Sequence, residues 1–291
     1  MPTSRPLARH RGALARISGP DVVLLFGGLS TSAQSSVIAD DWIWNGVSLN
    51  WTVVSGAAPS ARFGHSMAQL SLSGRVILFG GSTNGFSSLL GDTWQYDATT
   101  GWSQVSVTGP VARYEHRMAA DTGRGVVVLF GGYGGSAYRN DTWEFNGTSW
   151  SNRTPTSGNP GTRYAMAMAY DEGRGVTVMF GGYNGSTSLQ DTWEWNGSTW
   201  TQRATTGPPA RDLSSMTYDA QRGVIVLFGG APGLNDEWTW DGTSWTQQTA
   251  PRPTARQGAM MDFDPYSFAP ILFGGIPTAS GTPMQDTWER F

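Results

Sequence analysis

The 291-residue sequence contains no cysteine and no lysine. Without cysteine there are no disulfides and no thiolate metal sites. Without lysine there is no Schiff-base chemistry. All 19 basic residues are Arg, a usage expected of a GC-rich bacterial genome. Charged residues make up only 14 % and the net charge is −3, so the clustered basic excess of a nucleic-acid surface is missing. No apolar run approaches the ~20 residues of a membrane-spanning helix. Residues 1–16 lack the continuous apolar segment of a secretory signal. As written, the chain reads as cytoplasmic, or as exported if a leader has been removed.

What is abundant is glycine, 39 residues, and a long repeat. A Gly-Gly pair ends a hydrophobic run at Gly27-Gly28, Gly80-Gly81, Gly131-Gly132, Gly181-Gly182, Gly229-Gly230 and Gly274-Gly275, in steps of 53, 51, 50, 48 and 45 residues. An Asp-x-Trp follows each pair, at Trp42, Trp94, Trp143, Trp193, Trp238 and Trp288. A period near 50 marks units that cannot bury their faces alone and must stack. The repeat runs from end to end, so residues 1–291 read as one domain, with units near 8–57, 58–108, 109–157, 158–206, 207–250 and 251–291.

The fourth unit shows how one repeat folds. Tyr164 to Tyr170 reads as a first strand, and Asp171 to Gly175 as a turn. Val176 to Phe180 reads as a buried second strand, Thr192 to Trp195 as a third, and Thr199 to Gln202 as a fourth. Asn196-Gly197 between the last two is a hairpin signal whose two positions call for positive φ. Four antiparallel strands make a blade, and six blades in a ring make an all-β propeller. Along the first strand, the fifth residue after the leading Arg is Leu14, Met67, Met118, Met168, Met216 or Met261, and the sixth is mostly small. Successive residues of a strand point to opposite faces, so a large face of one blade can seat on a small face of the next.

These residues resemble the kelch family. The likeness spans the chain through the Gly-Gly pairs, the Asp-Thr-Trp segments, the later Trp51, Trp102, Trp150, Trp200 and Trp245, and strand openers such as Pro59-Ser60-Ala61-Arg62-Phe63-Gly64-His65-Ser66. The resemblance implies a six-bladed β-propeller of four-stranded antiparallel blades. The sixth repeat ends without its Trp-bearing fourth strand. Either that blade has three strands, or residues before Ala8 complete it, since kelch rings often close with strands from both termini, or the sequence is cut short of the strand.

An Arg opens every first strand: Arg9, Arg62, Arg113, Arg163, Arg211 and Arg256. The first strand is innermost, so these Arg are expected around one mouth of the central channel. In kelch ligand-binding domains, Arg at this place lines pockets for acidic partners, and a guanidinium fork suits carboxylate or phosphate. The structural alternative is that each Arg binds exposed strand-end carbonyls or the Asp of a neighbouring Asp-Thr-Trp. The residues that follow vary among repeats: His10, Phe63, Tyr114, Tyr164, Asp212 and Gln257 come next, with His65 and His116 two further on. With Tyr114, Glu115, Tyr164 and Asp212, those His form a candidate acid–base set, since His titrates near neutrality. Packing of the two His in the interblade face that they share with Met is the structural alternative. The loops after the Gly-Gly pairs should surround the same mouth, where Tyr133, Tyr138, Tyr183 and Asn84 can stack on or hydrogen-bond a ligand.

Three functional readings follow. One is a binding module that holds an anionic small molecule, glycan or peptide at an Arg-rimmed mouth. Another is an enzyme, an isomerase, cyclase or lyase, working at that mouth; sialic-acid mutarotases are among the kelch-like relatives. The copper oxidase for galactose, another relative, needs a Tyr–Cys cofactor that a chain without cysteine cannot form. No cofactor is implied, although His65 and His116 could hold a divalent metal. A protein–protein scaffold is the third reading.

Overall fold

A computed structural model describes residues 5–249 and 252–289. Among them lie 23 strands and no helix. The strands form five antiparallel sheets of four and one of three, each in sequence order. The inner strands are Ala13–Ile17, Ser66–Leu70, Arg117–Asp121, Ala167–Asp171, Ser215–Asp219 and Met260–Asp264. Each inner strand packs on the next, and the last packs on the first, so the ring closes. The sixth blade has only Met260–Asp264, Ala269–Phe273 and Thr287–Glu289 among the described residues. Residues 5–7 form no strand there, and residues 1–4, the rest of the segment expected to complete the blade, lie outside the described residues. Blade one is nevertheless tied to blade six: Arg9 donates its N–H to Met284 at 3.1 Å, and Gly275 donates to the Arg9 carbonyl at 2.8 Å.

The core is a set of seams between blades. Met67 of blade two clusters with Ala13 and Ala15 of blade one, Met118 with Ala68, Met168 with Ala119, and Met216 with Ala167 and Ala169. Large and small faces thus interlock around the ring, as the alternation of the first strand requires. In blades one to five the fourth-strand Trp leans on the second-strand Phe of the blade before it, as in Trp150 on Phe79 at 5.3 Å and Trp200 on Phe130 at 5.1 Å.

The Gly-Gly pairs answer to the same seams. Both residues of each pair have positive φ, near 65° and 100°. A Cβ on Gly27 would sit 2.6 Å from the Arg62 carbonyl and 2.9 Å from the His65 ring, both in the next blade. A Cβ on Gly131 would meet Met166 at 2.6 Å. Only glycine admits both the backbone turn and the neighbour.

Two local expectations change. The first strand of blade four begins at Ala167, not Tyr164, because Ala165 has φ +55° and breaks the extended run. In the hairpins, Gly147, Gly197 and Gly242 have positive φ, but Asn146, Asn196 and Asp241 do not. Their side chains instead accept backbone N–H groups two and three residues on, as Asn196 does from Ser198 at 3.0 Å and Thr199 at 2.9 Å. An Asx turn, not a two-residue left-handed turn, makes the corner.

Candidate functional site

The six strand-opening Arg do not rim the mouth. Each is buried and spends its guanidinium inside its own blade. Arg211 is representative: Nε donates to the Pro209 carbonyl at 3.0 Å, and Nη1 to the Gly229 carbonyl at 3.0 Å and Asp236 Oδ1 at 2.6 Å. Nη2 donates to Asp236 Oδ2 at 2.7 Å. Arg9, Arg62, Arg113, Arg163 and Arg256 repeat this with Asp40, Asp92, Asp141, Asp191 and Asp286. The same Asp accepts the indole N–H of the Trp two residues on. Burial alone would raise these carboxyls, but the Arg hydrogen bonds and charge, joined by the Trp, hold all six below the usual range. The expectation of an Arg-rimmed anion site is therefore corrected. A guanidinium fully paired to carboxylate and carbonyls has no face left for a ligand.

His65 and His116 are likewise in the wall. They sit edge-on to Phe26 and Phe79 of the preceding blades at 5.4 and 5.5 Å. Burial, helped by the nearby Arg62, lowers His65 to about 3, and burial with Arg113 holds His116 well below its ordinary value. The backbones of Phe26 and Phe79 oppose this weakly, yet no full hydrogen bond reaches any of the four ring nitrogens. Imidazoles neutral throughout the physiological range and sealed in a seam cannot exchange protons with a ligand, so their acid–base role is withdrawn. They also gather no third ligand: among the described residues no three His or carboxylate side chains lie close enough to hold a metal ion.

The mouth itself is built by the residues just after the Arg. His10, Phe63, Tyr114, Tyr164 and Gln257 each bridge to the loop after their own Gly-Gly pair, at Leu29, Ser82, Tyr133, Tyr183 and Ile276. The next residue in every blade is Arg11, Gly64, Glu115, Ala165, Leu213 or Gly258, and all six have φ between +51° and +63°. Their backbones form a closed collar around the channel. Gly64 donates to Arg11, Glu115 to Gly64, Ala165 to Glu115, Leu213 to Ala165, Gly258 to Leu213 and Arg11 to Gly258, at 2.6–2.8 Å. Such a cycle satisfies six inward backbone donors without water.

Two collar side chains carry opposite charge. Arg11 reaches from blade one to the buried Glu115 of blade three, Nε to Oε1 3.6 Å, and Arg117 donates to Glu115 Oε2 at 3.2 Å. Asp212 stands nearby and accepts the Ser188 hydroxyl at 2.6 Å. Burial raises its carboxyl above the ordinary value, and Glu115 adds to this against the Ser188 bond. Tyr164 is pushed up to about 12 by burial and then by Glu115 and Asp212; burial raises Tyr114 as well. Of the expected acid–base set, then, Tyr114, Glu115, Tyr164 and Asp212 do converge.

Beside this group the aromatics form a crescent over blades two to four. Tyr138 stacks on Tyr164 at 5.4 Å and 17°. Tyr133 meets Tyr138 at 5.3 Å, Phe86 at 5.5 Å and Tyr114 at 5.9 Å, and Tyr183 meets Tyr164 at 5.8 Å. Phe86 is exposed, and Tyr133, Tyr138, Tyr164 and Tyr183 are half-buried. His10, Phe63 and Gln257, also expected to touch a ligand, are buried; His10 Nε2 is held by the Thr31 carbonyl at 3.0 Å. Arg11, Arg117 and Phe86 escaped the reading of the sequence. The signal for Arg11 and Glu115 was present, because they are the two charged residues at a position otherwise Gly, Ala or Leu.

Below the collar, the channel narrows to a waist of Leu14, Met67, Met118, Met168, Met216 and Met261. A cavity of about 90 Å³ lies toward the mouth and one of about 110 Å³ toward the far end. At the far end Arg16 of blade one pairs across the channel with Glu172 of blade four.

The KLHDC2/KLHL20/DRC7 Kelch-repeats domain matches residues 13–230. The chain belongs to the kelch-repeat family. Its propeller is consistent with a module that binds a ligand or a protein partner. No curated protein matches the chain, and among the described residues there is no helix long and apolar enough to cross a membrane.

Proposed function

We propose that this kelch propeller is a binding module whose mouth holds a neutral glycan against the aromatic crescent. The observation that carries the reading is the departure from six-fold repetition. Tyr133, Tyr138, Tyr164, Tyr183 and Phe86 gather on three adjacent blades, while the equivalent places elsewhere hold His10, Asp212 and Gln257. Tyr faces receive the C–H face of a sugar, and their hydroxyls and the Asp212–Ser188 pair take its hydroxyls. The ligand is read as neutral because, with the six clamped Arg removed, the collar cations Arg11 and Arg117 face Glu115 and Asp212; the loop residue Arg139 adds one cation with no carboxylate partner among the described residues.

The test is calorimetric titration of neutral oligosaccharides beside sialylated and uronate-bearing ones. Neutral ligands should bind best, and Tyr138→Ala should weaken them about tenfold, in line with one lost stacking partner worth roughly 1–1.5 kcal/mol. Preference for the acidic sugars, or binding indifferent to Tyr138, refutes the reading.

A second reading, acid–base catalysis at the same mouth, rests on Asp212, the half-buried carboxyl with a raised pKa beside two Tyr. Perturbed carboxyls of that kind serve as general acids or bases. It predicts turnover of a bound sugar that Asp212→Asn abolishes while binding survives. Unchanged turnover in that variant removes it.

A further inference from the structure

Blades three and four carry the same charged network on their outer strands. Glu144 accepts the indole N–H of Trp195 in the next blade at 3.1 Å and a guanidinium N–H of Arg124 at 2.6 Å, and lies 3.3 Å from Arg153. Glu194 repeats this with Trp240 at 3.1 Å, with Arg174, and with Arg203 at 2.7 Å. Blade one has none of it. Ile43 pairs with Thr52 as Glu144 pairs with Ser151, so Ile43 stands at the Glu position. Val54 donates its N–H to the Asp41 carbonyl at 3.0 Å as Arg153 does to Thr142 at 2.8 Å, so Val54 stands at the Arg153 position. Pro20 replaces the turn Arg, being the third of four residues between the first two strands as Arg124 is. Tyr96 of blade two replaces the Trp, facing Trp102 as Trp195 faces Trp200. Around the ring the Glu position reads Ile43, Gln95, Glu144, Glu194, Thr239 and Glu289, and only blade one makes it apolar.

A groove of about 550 Å³ lies where the four groups are missing, between the outer strands of blades one and two. That volume is in the range of small-molecule sites. Ile43, Val54, Tyr96 and Trp102 line it, the two aliphatic residues half-buried against the cluster that holds the two rings. Tyr96 and Trp102 meet edge to face at 5.2 Å and 65°. Residues 52–57 of blade one and 98–101 of blade two complete the walls, where Val53 is 55 % exposed. No residue that lines the groove is charged. The nearest carboxylates are committed: Asp41 accepts the Trp102 indole at 2.8 Å, and Asp97 accepts Arg75 and the N–H groups of Thr99 and Thr100. An ion entering the groove would shed water without meeting a counter-charge.

We propose that this groove binds an uncharged small molecule bearing an aromatic ring. The absence of charge follows from the lining. The ring follows from the seam: the later blades seat an indole here, Trp195 and Trp240, where blade two has the smaller ring of Tyr96. Tyr96 and Trp102 supply the edges and faces that aromatic partners prefer, and Ile43, Val53 and Val54 supply apolar area. Hydroxyls of Thr52, Ser55, Thr99 and Thr100 stand along the walls for the polar substituents of such a molecule. The groove shares no residue with the collar or the aromatic crescent, so its ligand is independent of the glycan proposed at the mouth.

The probe is N-phenylnaphthylamine, a neutral dye that fluoresces when buried, titrated into the full chain beside anilinonaphthalene sulfonate, the same ring system with a charge added. Saturable one-to-one enhancement is expected for the neutral dye, with the sulfonate roughly tenfold weaker or more. Ile43→Glu/Val54→Arg rebuilds in blade one the pair that Glu194 makes with Arg203. In protein whose circular dichroism matches the wild type, it should weaken the neutral dye by roughly tenfold or more. Val53→Arg, at an exposed wall residue, should weaken it as well, and decides alone if the double variant fails to fold. Absence of saturable enhancement up to the solubility limit of the dye overturns the proposal. Equal affinity for the two dyes, or wild-type affinity in Val53→Arg, overturns it too. Loss of dye binding in Tyr138→Ala with binding retained in Val53→Arg puts the dye on the crescent at the mouth and likewise overturns it.

Discussion

Replacing Arg211 by Met tests whether the repeated Arg are clamps or ligand groups. The substitution keeps the aliphatic stem and removes four hydrogen bonds: two to the carbonyls of Pro209 and Gly229, and two to Asp236. It leaves a carboxylate only 15 % exposed facing an apolar thioether, with the Trp238 indole as its remaining side-chain partner. Breaking one side of a buried ion pair costs about 3–5 kcal/mol, because the other charge stays behind uncompensated. At about 2–4 °C of melting temperature per kcal/mol in a chain of this size, the midpoint should fall by on the order of 10 °C. The same change at Arg256 should cost visibly less, because its partner Asp286 is 40 % exposed and water can take over part of the lost interaction. Circular dichroism melts and urea titrations of the two variants, with Asp236→Asn and the Arg211→Met/Asp236→Asn double variant to complete the cycle, give the magnitudes. The double variant should cost clearly less than the sum of the singles. If Arg211→Met lies within about 1 kcal/mol of wild type, or if Arg256→Met is the more damaging, the buried-clamp account is wrong.

Two further outcomes follow from the collar and the seams. His65 titrates near 3 in the folded protein against 6.5 when free, and His116 is depressed as well. The unfolded chain therefore binds the extra protons, and stability present above about pH 6.5 is lost as pH falls toward 3. In blade four Met166 already occupies the equivalent place, so His65→Met and His116→Met should fold at pH 7, and their melting temperatures should decline less between pH 7 and 4.5. An acid limb as steep as wild type refutes the seam assignment. Ala165→Gly should stabilise the propeller by about 0.5–1 kcal/mol, because Ala165 holds φ +55° in the collar and glycine adopts that region without the Cβ penalty. A lower urea midpoint would show that the Ala165 methyl earns more in the seam than its backbone loses.

How much of this was legible in the sequence follows from what repeats and what does not. The Gly-Gly pairs, the Asp-Thr-Trp segments and the alternation of Met with small residues are local and periodic, so they placed the blades directly. The collar was invisible because positive φ at Ala165, Leu213, Glu115 and Arg11 carries no glycine to announce it, and the hydrogen bonds that impose it come from neighbouring blades. The Arg were located, but the sequence left two tasks open for them, a ligand site and a clamp. A guanidinium at a channel mouth and one clamped to an Asp 25–31 residues away look alike in a linear sequence. Yet Arg and Asp recur together in all six blades, and a feature shared by every unit of a ring serves the ring. Function in a repeat protein belongs to the departures: Arg11 and Glu115 at one collar position, and the Tyr of blades three and four. Both departures break the symmetry at the mouth. On that reasoning the glycan proposed for the kelch propeller is sought at the place where the ring stops repeating, not at the clamps that every blade shares.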